Sequence, residues 1–253
     1  MTSCLLRTSD IAKDLGVHPN TIRLYEEWGY FSTIPRGQNG YRQFSPLHLE
    51  QARLVRLALT WPFLGDRDIL IELVKCAARG ELATAMELAH QHLAYLHVEI
   101  ASTEAAIGFL ESWATGQVTE TSRPPMYIKE AAQYLNVTVD MLRNWERSGL
   151  LTVPRDPLNG YRLYGSNECG RLRVIRTLVQ SGYSLMAILR MLQQFDMGST
   201  QNLRDALEIP REESDVEYIE IAADRWLSSL LNFEQQALKI ILQIERLKEV
   251  SLL

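Results

Sequence analysis

The sequence contains one stretch twice. Residues 11–44 return in pattern as residues 131–164, at a shift of 120 positions. Near its end each copy contains the identical run Asn-Gly-Tyr-Arg, at residues 39–42 and 159–162. A duplication of this size, in a chain of 253 residues, predicts two copies of one small domain.

Each copy has the pattern of a helix-turn-helix. A short helix with apolar periodicity ends at a residue that tolerates the left-handed conformation, Gly16 in the first copy and Asn136 in the second. The next helix opens at Pro19, which suits the first helical position, or at the capping residue Thr138. The Asn-Gly pair then predicts a tight hairpin beside the second helix, as in the wing of a winged helix-turn-helix.

These motifs together resemble the DNA-binding domain of the MerR (mercury-resistance regulator) family. The first copy carries the resemblance through Leu15, Gly16, Val17, Thr21, Ile22, Arg23, Tyr25, Glu26, Gly29, Pro35, Arg36, Gly40, Tyr41, Arg42 and Phe44. The second copy carries it through Leu142, Arg143, Glu146, Gly149, Leu150, Leu151, Pro154, Arg155, Gly160, Tyr161, Arg162 and Tyr164. Helical hairpins whose apolar residues merely pack are the alternative, but the combination of turn, helix and wing favours the family.

The resemblance implies a mode of action. Family members are dimers joined by an antiparallel coiled coil, and they distort a promoter with an overlong spacer so that RNA polymerase can use it. Their effector sites lie beyond the long helix. No cysteine follows Cys169, so a metal sensor is not expected. An effector site for an unknown small molecule is predicted at residues 196–215 and around Trp226 and Leu231, with a plain surface loop over core packing as the alternative.

The charge distribution agrees with contact to nucleic acid at the repeated segments. The whole chain has a net charge of −5. Residues 1–75 and 123–194 carry +1 and +5, whereas residues 76–122 and 195–253 carry −5 and −6. Phosphate contact requires basic side chains locally, so acidic connecting regions are compatible with a DNA-binding protein.

Two long stretches have apolar residues at alternating spacings of four and three. They run from Leu82 to Leu110 and from Ile219 to Leu247. This spacing is typical of a coiled-coil seam. Because the seams have equal length, we expect them to pair antiparallel within one chain, as an intramolecular pseudo-dimer. A homodimer with four DNA-binding heads is the competing arrangement.

The predicted fold is mainly α, with two winged helix-turn-helix domains joined by long coiled-coil helices. The predicted segments are a first winged domain at 1–80, a coiled-coil helix at 81–115, a linker at 116–125, a second winged domain at 126–195, an acidic insert at 196–215 and a second coiled-coil helix at 216–253. At most one short helix is predicted within the insert, near 203–207.

The second helix of each copy should enter the major groove, and the wing should contact phosphates. The candidate DNA-binding residues of the first copy are Asn20, Thr21, Arg23, Tyr25, Arg36, Tyr41 and Arg42. Those of the second copy are Asp140, Arg143, Trp145, Arg155, Tyr161 and Arg162. Asn20 can pair with adenine, whereas Asp140 repels phosphate and can accept from cytosine, so the operator should be an imperfect palindrome.

The leading function is therefore a sequence-specific regulator of transcription that binds double-stranded DNA in the cytoplasm, associated with the nucleoid. An architectural or excisionase-like DNA-binding protein is the alternative. An enzyme is not predicted, since no acid, base and nucleophile occur at sensible spacing. No membrane segment, cofactor or metal site is predicted either: the three cysteines have no paired spacing, and His90, His92 and His97 should lie on a solvated helix surface.

Overall fold

The computed structural model describes residues 5–59, 67–118, 124–209 and 222–252. Over these ranges the backbone forms eleven helices described from end to end, a short helical stretch at residues 222–224 and no β-strand, which confirms the mainly α prediction. The helices are α1 (Thr8–Leu15), α2 (Pro19–Glu27), α3 (Pro46–Ala58), α4 (Arg67–Ala78), α5 (Leu82–Ala114), α6 (Ile128–Leu135), α7 (Val139–Arg147), α8 (Ser166–Gln180), α9 (Leu185–Asp196), α10 (Leu203–Leu207) and α11 (Trp226–Ser251). The start of the second seam at Ile219, and parts of the predicted linker and insert, lie outside the described residues.

Local sequence determines the two helix-turn-helix units. Gly16 closes α1 at φ 63° and Asn136 closes α6 at φ 50°, both in the left-handed region. Pro19 starts α2, while the Thr138 side chain accepts a hydrogen bond from the backbone N–H of Met141 at the start of α7. The turn and the second helix therefore form as predicted in both copies.

The wings are shorter than a regular hairpin. Each is closed by one isolated antiparallel bridge, between Arg36 and Arg42 in the first copy and between Arg155 and Arg162 in the second. The Asn-Gly turn is nonetheless present, because the glycine of each pair adopts a positive φ, 77° in the first wing and 74° in the second. The wing is thus a tight turn held by a few backbone hydrogen bonds.

One compact unit contains residues 1–98 and 231–253. Its core is built by the first winged domain, with Ile11, Ile22 and Phe44 fully buried. The long helices add residues to the same core, namely Ala85 and Ala89 from α5 and Ile240, Ile244 and Leu247 from α11.

The other compact unit contains residues 99–230. Its core is built by the second winged domain, with Leu142, Tyr164 and Leu172 buried. The second half of α5 contributes Ala106, Ile107 and Leu110 to this core. The described part of the insert also joins it, since α10 buries Leu203, Ala206 and Leu207. The predicted short helix is present, and it packs as core.

Each long helix is divided between the two units. In the first unit, Gln243 of α11 donates through Nε2 to the backbone oxygen and side chain of Glu50, at 3.1 and 2.6 Å. In the second unit, the Thr103 hydroxyl of α5 donates to the backbone oxygen of Ser181 at 3.4 Å. The later part of each long helix therefore packs on a winged domain other than the one that precedes that helix in sequence.

Candidate nucleic-acid interface

The exposed face of α2 presents the predicted reading residues of the first copy. Asn20 and Arg23 are exposed and Thr21 is half-buried. Arg23 donates from Nη1 to the Asn20 side-chain oxygen at 2.9 Å. The pair places an amide and a guanidinium side by side. Because the asparagine is neutral, the pair has a net positive charge.

The exposed face of α7 repeats this arrangement with one change. Arg143 donates from Nη1 to Asp140 Oδ1 at 3.2 Å, and the Asp140 side chain is 89% exposed. The partner is now a carboxylate, and its negative charge offsets the positive charge of the arginine. The two heads present similar shapes with different local charge.

A carboxylate on each second helix binds both arginines of the adjoining wing. Glu26 accepts from Arg42 Nε at 2.5 Å and lies 3.5 Å from Arg36 Nη2. Side-chain exposures of 23% for Arg42 and 25% for Glu26 make this a partly buried pair. The predicted phosphate ligand Arg42 therefore also anchors its wing to α2.

The second copy builds the same anchor. Glu146 accepts from Arg162 Nε at 2.5 Å and lies 3.4 Å from Arg155 Nη2. Sequence reasoning missed this role of the two glutamates. The signal was present, because Glu26 and Glu146 recur at equivalent positions and each has two arginines of its own wing in the repeated pattern.

The predicted aromatic contacts fall into two groups. Tyr41 and Tyr161 on the wings are 75% and 65% exposed, which suits a contact to DNA. Trp145 is 2% exposed in the core of its unit, so the prediction that it contacts DNA is wrong. Tyr25 is only 8% exposed and packs near Trp28, and burial raises its phenol pKa. Both residues lie on the inner face of the second helix, where an aromatic ring fills the core.

Each head has a groove bounded by the first helix, the second helix and the wing. The groove of the first copy is lined by Arg7, Thr8, Ser9, Pro19, Arg23, Asn39, Tyr41 and Arg42. The groove of the second copy is lined by Tyr127, Ile128, Lys129, Glu130, Arg143, Arg155, Asn159, Tyr161 and Arg162. Arg7 and Lys129 were absent from the sequence prediction, although their position at the start of the first helix indicates a basic groove wall. A groove of this charge suits a phosphate backbone.

The histidines of α5 differ from expectation at one position. His92 is 8% exposed, and burial lowers the pKa of its imidazole, so the predicted solvated position is wrong. His97 Nε2 lies 2.8 Å from Glu234 Oε1 of α11, within the first unit. Across the described residues, no group of three or more His, Cys, Asp or Glu side chains is arranged to hold a metal ion. In the same part of the chain, no helix has both the length and the apolar character that a membrane crossing needs.

Comparison with known families matches both copies. The family described as MerR HTH family regulatory protein matches residues 6–60 and 126–194. The matched segments are the two winged domains whose grooves are described above. The two winged domains therefore belong to the MerR family.

Several curated MerR-type proteins are similar over a shorter stretch. A probable heavy metal-dependent transcriptional regulator of Haemophilus influenzae is 36% identical over 67 residues, which is 26% of this chain and 52% of the relative. The HTH-type transcriptional regulator CueR of Salmonella typhi is 33% identical over 89 residues, which is 35% of this chain and 56% of the relative. CueR of Yersinia pestis is 36% identical over 67 residues, which is 26% of this chain and 48% of the relative.

The chain thus spans about half the length of the curated relatives it matches. No solved structure gave a significant match. The family match in two separate regions shows a tandem pair of MerR-type domains, one in each region.

Proposed function

We propose that this chain is a sequence-specific regulator of transcription that binds double-stranded DNA at a promoter. The observation that carries the proposal is that both copies build the same groove, with an arginine from the second helix and a tyrosine and an arginine from the wing. Relatives named as transcriptional regulators support the same reading. The chain would act in the cytoplasm, associated with the nucleoid.

We further propose that one chain performs what relatives achieve with two. In the first unit, α11 docks on the first head through Gln243, and through Gln236, whose Nε2 donates to the Leu57 backbone oxygen at 2.6 Å. In the second unit, the later part of α5 packs on the second head. Each long helix thus packs on the head that does not precede it in sequence. Antiparallel pairing within a pseudo-dimer requires this arrangement, which supports the binding of one operator by one chain.

The two reading faces differ at Asn20 and Asp140, so the operator would be an imperfect palindrome. Binding of both heads to one duplex would distort it, and RNA polymerase would read the distorted promoter. A small-molecule effector would act on this step. Since α10 fills the core of the second unit, this helix would contribute to such regulation through its packing.

The test begins with in vitro selection of duplexes that bind the full chain, followed by transcription across the recovered site. We expect enrichment of unlike half-sites and altered transcript levels. Binding without any change in transcription would instead favour the architectural alternative. Failure to enrich any duplex would refute the proposal.

The best side chain for a charge test is Arg23, because Arg42 also anchors its wing. Arg23→Ala should lower the slope of log affinity against log salt by about 0.9, the value for one lost phosphate contact. Arg246→Ala on α11 removes the same charge from an exposed position outside the groove and should leave the slope unchanged. Light scattering measures the mass of the complex with a duplex that contains one operator. A mass that corresponds to one chain per duplex supports the pseudo-dimer, whereas two chains per duplex refute it.

A further inference from the structure

The tip of the second wing is apolar and exposed. Leu158 is 94% exposed, the highest value among the large apolar side chains of the described residues. It lies between Pro157 and Asn159, in the middle of the turn formed by residues 157–159. An apolar side chain held this far into solvent forfeits the stabilisation that burial would provide.

The tip is held in place by a network centred on Asp156. Its carboxylate accepts from the Leu158 backbone N–H at 2.9 Å, the Asn159 amide at 2.8 Å and the Tyr127 hydroxyl at 3.0 Å. The Leu158 hydrogen bond is the first cause of the lowered pKa of this carboxyl. Proline restricts the backbone within the same turn. Leu158 is therefore presented on a preorganised turn.

The first wing has no such tip. It places the polar Gln38 and Asn39 between Gly37 and Gly40, and it has one residue fewer between its first arginine and the Asn-Gly pair. Its turn is closed by a backbone hydrogen bond from Gly40 to Gly37 at 2.9 Å. The apolar tip is thus specific to the second head.

The surroundings of Leu158 indicate a polyanion as the partner. The same wing carries Arg155 and Arg162, and the adjoining groove is also lined by Lys129 and Tyr161. A basic surface with a leucine at its tip matches a known way of binding the minor groove, in which an apolar side chain enters between base steps and kinks the duplex. Pyrimidine–purine steps open most readily.

We propose that Leu158 is a wedge that enters the DNA minor groove and opens one base step on the side of the second head only. The inference rests on the proposed DNA-binding function. The first wing, with Gln38 at the equivalent tip, contacts the backbone without insertion. The distortion of the duplex is consequently asymmetric, with one local kink under the second wing.

The test uses duplexes recovered by selection with the full chain, with 2-aminopurine placed at successive positions. Wild type should raise fluorescence about threefold or more at one step, and Leu158→Gln should abolish that rise. Affinity should change less than about threefold, because lost apolar burial and avoided unstacking offset each other. Leu252→Ala, at an 88% exposed leucine outside both wings, should keep the signal.

Each outcome has a distinct meaning. If wild type binds but no position responds, or if Leu158→Gln responds like wild type, the wedge is refuted and DNA binding stands. If wild type enriches no duplex, the proposed function fails and the wedge fails with it. Because Leu158 is exposed, Leu158→Gln should retain the wild-type circular dichroism spectrum and melting curve, and a loss of fluorescence in a folded variant supports the wedge.

Discussion

Exchanging the residues at positions 20 and 140 should exchange the electrostatic behaviour of the two heads. Arg23 is hydrogen-bonded to the neutral Asn20 at 2.9 Å, and Arg143 to the anionic Asp140 at 3.2 Å. Asp140→Asn keeps the size of the side chain and its acceptor oxygen, but it removes the negative charge that offsets the charge of Arg143. Asn20→Asp does the reverse in the first head. The pair of variants therefore isolates charge from shape.

The expected size follows from counterion release. One additional phosphate contact steepens the slope of log affinity against log salt by about 0.9, so a fourfold rise in salt costs the Asp140→Asn variant an additional factor of about 3.5. Asn20→Asp should flatten the slope by the same amount. Fold stability should hardly change, because the Arg143 and Asp140 side chains are 51% and 89% exposed and such pairs contribute little to folding.

Fluorescence anisotropy with a labelled duplex of arbitrary sequence measures these slopes between about 50 and 200 mM salt. A duplex without an operator removes base readout, so only the electrostatic contribution is compared. The double variant Asn20→Asp with Asp140→Asn has the charge of wild type and should restore its slope. Slopes that shift in the same direction in both single variants, or that do not shift, would refute the reasoning.

Two further predictions concern stability. Gly182 has φ 108° and an added Cβ would lie 2.3 Å from Trp226 Cε2, so Gly182→Ala should cost about 3 kcal/mol in urea unfolding; Gly198→Ala, at φ 90° with open space, should cost about 1 kcal/mol. Equal costs would exclude the Trp226 clash as the cause. Burial lowers the pKa of His48 and His92, so the unfolded chain binds protons first as pH falls. Stability should be complete above a pH of about 6.5 and decrease below it, and His92→Leu should weaken that dependence in unfolding curves recorded at several pH values.

The amino-acid sequence by itself determined the local elements. The left-handed positions at Gly16 and Asn136, the helix starts at Pro19 and Thr138, and α10 all occur as predicted. These features depend on the backbone preference of one residue and on periodicity over a few turns, so neighbouring residues suffice to determine them.

The tertiary structure decided which faces of the helices are buried and what covers them. Trp145 occupies a predicted contact position but packs inward, and His92 is buried on a helix whose periodicity indicated a solvated face. Glu26 forms ion pairs with the two arginines of its wing, and these pairs depend on the folding of the wing against the second helix. Gln243 reaches Glu50 across 193 residues of sequence. Periodicity identifies an apolar stripe on a helix, but the surface that covers the stripe, and the polar groups paired at its edge, depend on contacts between residues distant in the chain.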